Sequence, residues 1–321
     1  MMAVRLITPD AVDAPGGVSQ YWTRMVRATK ALGMPFEWRT PANWRDGTTP
    51  NDLLIVVNQD VRTIPQPYKV IGVMHSSAME NGLRNGNDGM VQMGCDQWES
   101  ALRPNTFWVA VSPKTAHDCL HHMGIHADRI INIGCDTDAL YPSERQVRRD
   151  VARPVVFHHA VDPNKGSGVI EAIRDNLGGA FEVKSVSCAP TALGDTLRQA
   201  DMFLCLSKDE GGPIVVAEAM CAGLVTVTTN VGFVWSMCGG APLQSRRTGM
   251  VARLNREAGI VSFDWQLRDR PEIVADFVRA AWNERALLDP RPFAMQHFAM
   301  GVFGQRWHDA IEAACRKLGA V

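Results

Sequence analysis

Residues 207–223 read SKDEGGPIVVAEAMCAG. Two carboxylates, Glu210 and Glu218, bracket a Gly-Gly-Pro turn and a run of small aliphatic residues. A buried helix has no need of two acids, and a solvent-facing helix carries more polar residues between them. Pro213 suits the first turn of a helix, where its missing N–H has no helical partner to lose. Gly211 and Gly212 let a ligand come close to the backbone. The amides of Ile214 and Val215 then point out of the helix start and, with the positive end of the helix dipole, form an anion site. Glu218 lies one to two turns further in, toward the same opening. An anion beside amides, flanked by two acids that accept hydrogen bonds from hydroxyls, has the chemistry of a sugar nucleotide.

On both sides of this stretch, short apolar runs alternate with amphipathic ones, which predicts βα units and a parallel sheet. AVRLIT (3–8), LLIVVN (53–58), KVIGVMH (69–75), FWVAVS (107–112) and RIINIG (129–134) read as strands. Helices are expected from about Ser19 to Leu32, and from the Ser112 cap through Pro113 to a stop at Gly124. The Arg-rich passage YPSERQVRRDVARP (141–154) reads as a linker. After it the alternation restarts with VVFHHA (155–160), VKSVSC (183–188), MFLCLS (202–207) and LVTVTT (224–229) as strands. GVIEAIRDNL, LGDTLRQA and IVVAEAMCA form the helices between them, and residues 293–318 have apolar residues at helical spacing. The expected fold class is α/β with two Rossmann-like, doubly wound parallel-sheet domains facing a cleft. Their limits are 1–150 and 151–290, with a terminal helix, 291–321, packing back toward the first. Such sheets bind ligands at the carboxyl ends of their strands.

A chain of 321 residues exceeds what one core usually holds, in keeping with two domains. A formal net charge of −1 provides no global field toward nucleic acid or anionic lipid. The 8 cysteines are scattered, with no CxxC pair, as suits a reducing compartment. No signal peptide and no transmembrane run is legible. The sequence therefore predicts a soluble cytoplasmic protein, a monomer or weak dimer.

The setting S-x-x-E-G-x-P…E-A-M-x-x-G, with seven residues between the acids, resembles the motif of retaining GT-B glycosyltransferases, glycosyltransferase family 4 in particular. The likeness spans most of the chain. VAVSPKTAHDCLHHMGIHADRIINIGCDTDALYP, LRQADMFLCLSKDEGG, APGGVSQYWTRMVRATKALG and VDPNKGSGVIEAI each look like family segments. The resemblance implies a nucleoside-diphosphate sugar as co-substrate, bound in the second domain, and an acceptor bound in the first. Glu210 would hold donor-sugar hydroxyls and Glu218 the ribose, with Gly211, Gly212, Pro213, Ile214 and Val215 around the diphosphate. Lys165 would reach that diphosphate. Gly16 and Gly17 would form a phosphate or acceptor loop, and His75 would be an active-site histidine. A histidine hydrogen-bonded within its own loop is the alternative for His75. Transfer with retention and without a metal or other cofactor is implied.

One departure stands out. The family has Gly-Arg ahead of the lysine, and this chain has His159 and Ala160. The missing cation leaves Lys208, Arg246, Arg247, or a protonated His158 or His159 as substitutes on the leaving group. Two further patterns read as solvated helix faces: His117, His121, His122 and His126, whose spacing also allows a metal, and Arg24, Arg27 and Lys30. Sugar-nucleotide epimerase, phosphorylase and non-catalytic sugar-nucleotide-binding protein are the rival readings. A phosphorylase needs a cofactor lysine that the sequence does not place. A nicotinamide dehydrogenase is disfavoured because APGGVS lacks the G-x-G-x-x-G spacing. The acceptor stays open: lipid, saccharide, small molecule or modified nucleic-acid base.

Overall fold

The computed structural model describes residues 3–8, 17–34, 36–144, 151–159, 163–237, 239–244 and 249–319. It divides into two compact units, Met1–Gly134 with Met300–Val321, and Cys135–Ala299. The sequence placed the borders at 150 and 290; compact packing places them at 134 and 299.

In the first unit the apolar runs form four inner strands buried on both faces, with shorter, more exposed strands at the two edges. These are β1 (Val4–Ile7), β2 (Glu37–Arg39), β3 (Leu53–Val57), β4 (Lys69–Met74), β5 (Thr106–Ala110) and the short β6 (Arg129–Ile130). They pair in the order β2-β1-β3-β4-β5-β6, every pairing parallel. Helices α1 (Gly17–Ala31), α2 (Ala78–Asn85), α3 (Asp88–Ala101) and α4 (Pro113–Met123) complete the crossovers. The start and stop signals of α4 work as the sequence predicts. Ser112 Oγ accepts from Thr115 N at 3.1 Å, Pro113 opens the helix, and Gly124 closes it at φ 66°. RIINIG departs from expectation, because only its first two residues are strand. Beyond the ladder bond from Ile131 N to Ala110 O, side chains take the carbonyls instead. Tyr21 Oη donates to Ile131 O at 3.0 Å and an Arg24 guanidinium nitrogen to Gly134 O at 2.8 Å.

The second unit holds β7 (Val155–His159), β8 (Glu182–Val186), β9 (Met202–Cys205), β10 (Val225–Thr229), β11 (Ala241–Gln244), β12 (Val251–Asn255) and β13 (Ile260–Phe263). Its helices are α5 (Ile170–Leu177), α6 (Leu193–Leu197), α7 (Ile214–Cys221), α8 (Pro271–Glu284) and α9 (Pro290–Phe298). The order is β11-β12-β13-β10-β9-β7-β8. The five strands from β13 to β8 are parallel, as the doubly wound expectation has it, and β11 and β12, which the sequence did not mark as strands, extend the edge antiparallel. Between Asn255 and Ile260 the chain has room only for a tight turn, with Gly259 at φ 62° and Asn255 Oδ1 accepting from Ala258 N at 3.0 Å. A connection that short makes a hairpin, since a parallel crossover needs a dozen or more residues.

Helix α10 (Met300–Leu318) returns the chain to the first unit, against α1. The contact is close: a Cβ on Gly304 would lie 3.1 Å from Ala28, and one on Gly134 only 2.7 Å from Phe303. Tyr21, Trp22, Phe303 and Trp307 are all buried there. Among the described residues no helix is long and apolar enough to cross a membrane.

Candidate functional site

In the second unit, β7 is followed in sequence by its neighbour on one side, β8, and then by its neighbour on the other, β9. The β7–β9 junction is therefore the topological switch point, the place where an open α/β sheet binds its ligand. Two loops leave the carboxyl ends of these strands. One carries Lys165 and the other Ser207 to Pro213, so the tertiary fold brings together the acid and the cation that the sequence singled out. Lys165 Nζ pairs with Glu210 Oε1, and Ser207 Oγ donates to the same oxygen at 2.9 Å. Thr229 Oγ1, at the end of β10, donates to Ser207 O at 2.6 Å and fixes that serine.

The Gly-Gly-Pro turn leads into α7 with Pro213 as the N-cap, one residue ahead of the first-turn position expected of it. Pro213 O accepts from Val216 N at 3.0 Å and from Ala217 N at 3.3 Å. The amides of Ile214 and Val215 have no acceptor among the described residues and sit at the positive end of α7. Helix α7 is apolar nearly all round because it lies between β9, β10 and α9. Glu218 is the exception on it, only 4% exposed. A buried carboxylate is retained where it has polar partners, and Glu218 is not without them. Gly232, which the sequence reading missed, closes the back of the turn. It has φ +55°, and a Cβ there would stand 2.4 Å from Pro213 Cδ and 3.0 Å from Gly211 O. A glycine three residues past the end of β10, in the loop at its carboxyl end, was the available signal.

The loop holding Lys165 is fixed from below by two side chains that no motif marks. Arg268, 5% exposed, directs one guanidinium nitrogen to Asn164 O at 2.7 Å and Leu206 O at 3.0 Å, and the other to Pro163 O at 3.1 Å. His158, fully buried at the end of β7, has Nε2 2.9 Å from Lys165 O. Burial pushes the His158 imidazole down to about 4, against the bond to Lys165 O that favours its charged form. A neutral His158 donates from Nε2 and leaves Nδ1 as a bare acceptor with no partner among the described residues. At neutral pH it supplies no cation, which removes it from the substitutes for the missing arginine. Lys208 is on the site loop, its N–H donating to Asn164 O at 3.0 Å. Gly16, Ala160, Arg246 and Arg247 lie outside the described residues.

In the first unit Gly17 is the exposed first residue of α1, following the β1–β3 switch point. His75 follows β4. Its ring stands edge-on to Tyr21 and Trp22, both at 5.1 Å, and its buried Nε2 has no partner among the described residues. Burial lowers its pKa to about 3, so the group is a neutral imidazole at pH 7. The histidines of α4 show a stacked pair, His121 on His122 at 5.0 Å, and His117 Nδ1 3.4 Å from Asp118 Oδ1. Among the described residues no three His, Cys, Asp or Glu side chains converge as a metal site. Arg24 of α1 is committed to Gly134 O, while Arg27 and Lys30 are exposed.

Solved structures share this architecture end to end. Sucrose-phosphate synthase from Thermosynechococcus elongatus superposes with a TM-score of 0.72 at 13% identity, over 98% of this chain and 99% of that one. The Anabaena protein HepE, in complex with UDP and glucose, gives 0.66 at 13% identity over 98% and 100%. AviGT4, a glycosyltransferase involved in avilamycin A biosynthesis, gives 0.58 at 16% identity over 100% and 99%. The fold is GT-B. A sequence model of the family described as "Glycosyl transferases group 1" matches residues 173–239, the part of the GT-B chain that holds Glu210, α7, Glu218 and Gly232. No curated protein matches by sequence. Among the residues named from sequence, the fold gathers Lys165, Glu210 and the α7 amides at one switch point and gives His158 a supporting place under the Lys165 turn; Arg268 and Gly232 are its additions.

Proposed function

We propose that the protein transfers a glycosyl group from a nucleoside-diphosphate sugar to a hydroxyl-bearing acceptor, with retention of anomeric configuration. The observation that carries this reading is the pairing of Lys165 with Glu210 at the β7–β9 switch point, beside the Ile214 and Val215 amides, which have no acceptor among the described residues. The matched family segment and the GT-B fold support it. In this reading the diphosphate lies against the Ile214 and Val215 amides and takes the Lys165 ammonium. The sugar hydroxyls then replace that ammonium on Glu210, and Glu218 holds the ribose. The acceptor oxygen bonds to the anomeric carbon on the face from which the phosphate leaves. As the carbon–phosphate oxygen bond breaks, the departing phosphate takes the acceptor proton. Lys165 and the amides stabilise the charge that builds on it, so the reading requires no metal. His75, placed near the reacting sugar in this reading, is a neutral imidazole at pH 7 and not a cation.

Thermal-shift screening against UDP-, GDP- and ADP-linked sugars tests the donor assignment, since a ligand selective for the native state raises its apparent stability. Stabilisation by one of them, with nucleoside diphosphate released once an acceptor is supplied and unchanged by EDTA, is the expected result. No shift with any donor overturns the reading. A shift without release or slow donor hydrolysis leaves a sugar-nucleotide-binding protein, and product formation without acceptor marks an epimerase. The anomeric configuration of the product, read by proton NMR coupling constants, decides retention.

A further inference from the structure

Three consecutive carbonyl oxygens of the Lys165 turn are held by two buried side chains from outside it. Arg268 takes Pro163 O at 3.1 Å and Asn164 O at 2.7 Å, and His158 takes Lys165 O at 2.9 Å. Arg268 also takes Leu206 O at 3.0 Å, at the end of β9, so one guanidinium ties the Lys165 turn to the strand leading to Glu210. Asn164 O accepts in addition from Lys208 N at 3.0 Å, a second stitch between the same loops. Gly166, at φ +83°, permits the approach, because a Cβ there would lie 2.5 Å from Leu206 Cβ. Arg268 has a carboxylate of its own, Asp269 Oδ1 at 3.2 Å, 55% exposed. The carbonyl dipoles are what keep so buried a guanidinium satisfied.

The geometry points to Arg268 and His158 as positioning residues for Lys165: they set the direction in which its side chain leaves the turn, and so its alignment with Glu210. This rests on the donor-binding reading above. Lysine at 268 keeps the charge but loses the planar fork that spans two loops. Glutamine loses both.

A double-mutant cycle tests this, with donor affinity and the KM-against-kcat split as readouts. Arg268→Lys should weaken binding of the stabilising nucleotide sugar by roughly tenfold, and Arg268→Gln by more. In a Lys165→Ala background, Arg268→Lys should cost less than about twofold further, because the residue through which it acts is gone. Full additivity of the two substitutions overturns the inference, as does wild-type affinity in Arg268→Lys. His158→Phe, which keeps a buried ring but removes the donor, should follow the same pattern and guards against an Arg268 variant that fails to fold. If wild type binds no nucleotide sugar, the donor reading falls and this inference with it. If wild type binds and the cycle is additive, the inference alone falls.

Discussion

Lys165 and Glu210 stand 45 residues apart in sequence and touch in the fold. Glu210 was recognisable from its setting before Gly-Gly-Pro, and Lys165 was named through the family resemblance of VDPNKGSGVIEAI. Arg268 was not, because nothing in WQLRDRP distinguishes a guanidinium that will be buried from one on the surface. Glu210→Ala removes the acceptor of both Lys165 and Ser207, yet lies on a partly exposed loop. It should lower transfer by about a hundredfold or more, the scale of a lost transition-state contact. Circular dichroism should find the fold unchanged, and near-wild-type turnover would remove Glu210 from the site. The buried histidines give a pH prediction. Unfolded imidazoles take a proton near pH 6.5, whereas native His158 resists it until about 4 and native His75 until about 3. Between those limits the unfolded state binds more protons, so stability is fully present above about 6.5 and falls as the pH drops through that window. Urea midpoints at pH 7, 5.5 and 4.5 should decline in that order, less steeply in a His158→Phe variant.

At the scale of elements, start and stop signals proved most legible. Ser112, Pro113 and Gly124 define α4, and Pro213 opens α7, because caps are local interactions between neighbours in sequence. The β11–β12 edge was not read, since whether a strand joins parallel or antiparallel is decided by its neighbour and by the length of its connection. RIINIG was over-read for the same reason: its composition favours a strand, but Tyr21 and Arg24 capture its carbonyls. The turn before α7 depends on Gly232. Gly232→Ala would place a methyl within 2.4 Å of Pro213 Cδ at φ +55°. A loss of about 1–3 kcal/mol in unfolding free energy is expected, with weaker donor binding because the α7 amides shift. Calorimetry of the variant, with and without donor, checks both; wild-type values in each would show that the turn tolerates displacement.

At the scale of the molecule, the chain leaves the first unit at Gly134 and returns at Met300. The last helix buries Phe303 and Trp307 beside Tyr21 and Trp22. Phe303→Ala should therefore cost about 3–5 kcal/mol, the range for a large buried aromatic. Trp22 should report the loss as an early fluorescence transition, and an unaltered transition would mean that α10 adds little to the first unit. The sequence by itself determined the alternation of strands and helices and the helix start inside SKDEGGPIVVAEAMCAG. These follow from periodicity, from helix capping and from the few residue types that free a backbone amide. Only the tertiary structure decided which strands are neighbours, that the Lys165 and Glu210 loops meet at the β7–β9 switch point, and that Arg268 and His158 hold the turn between them. Such contacts join distant segments through burial, and burial depends on how every element packs rather than on the residues next in line.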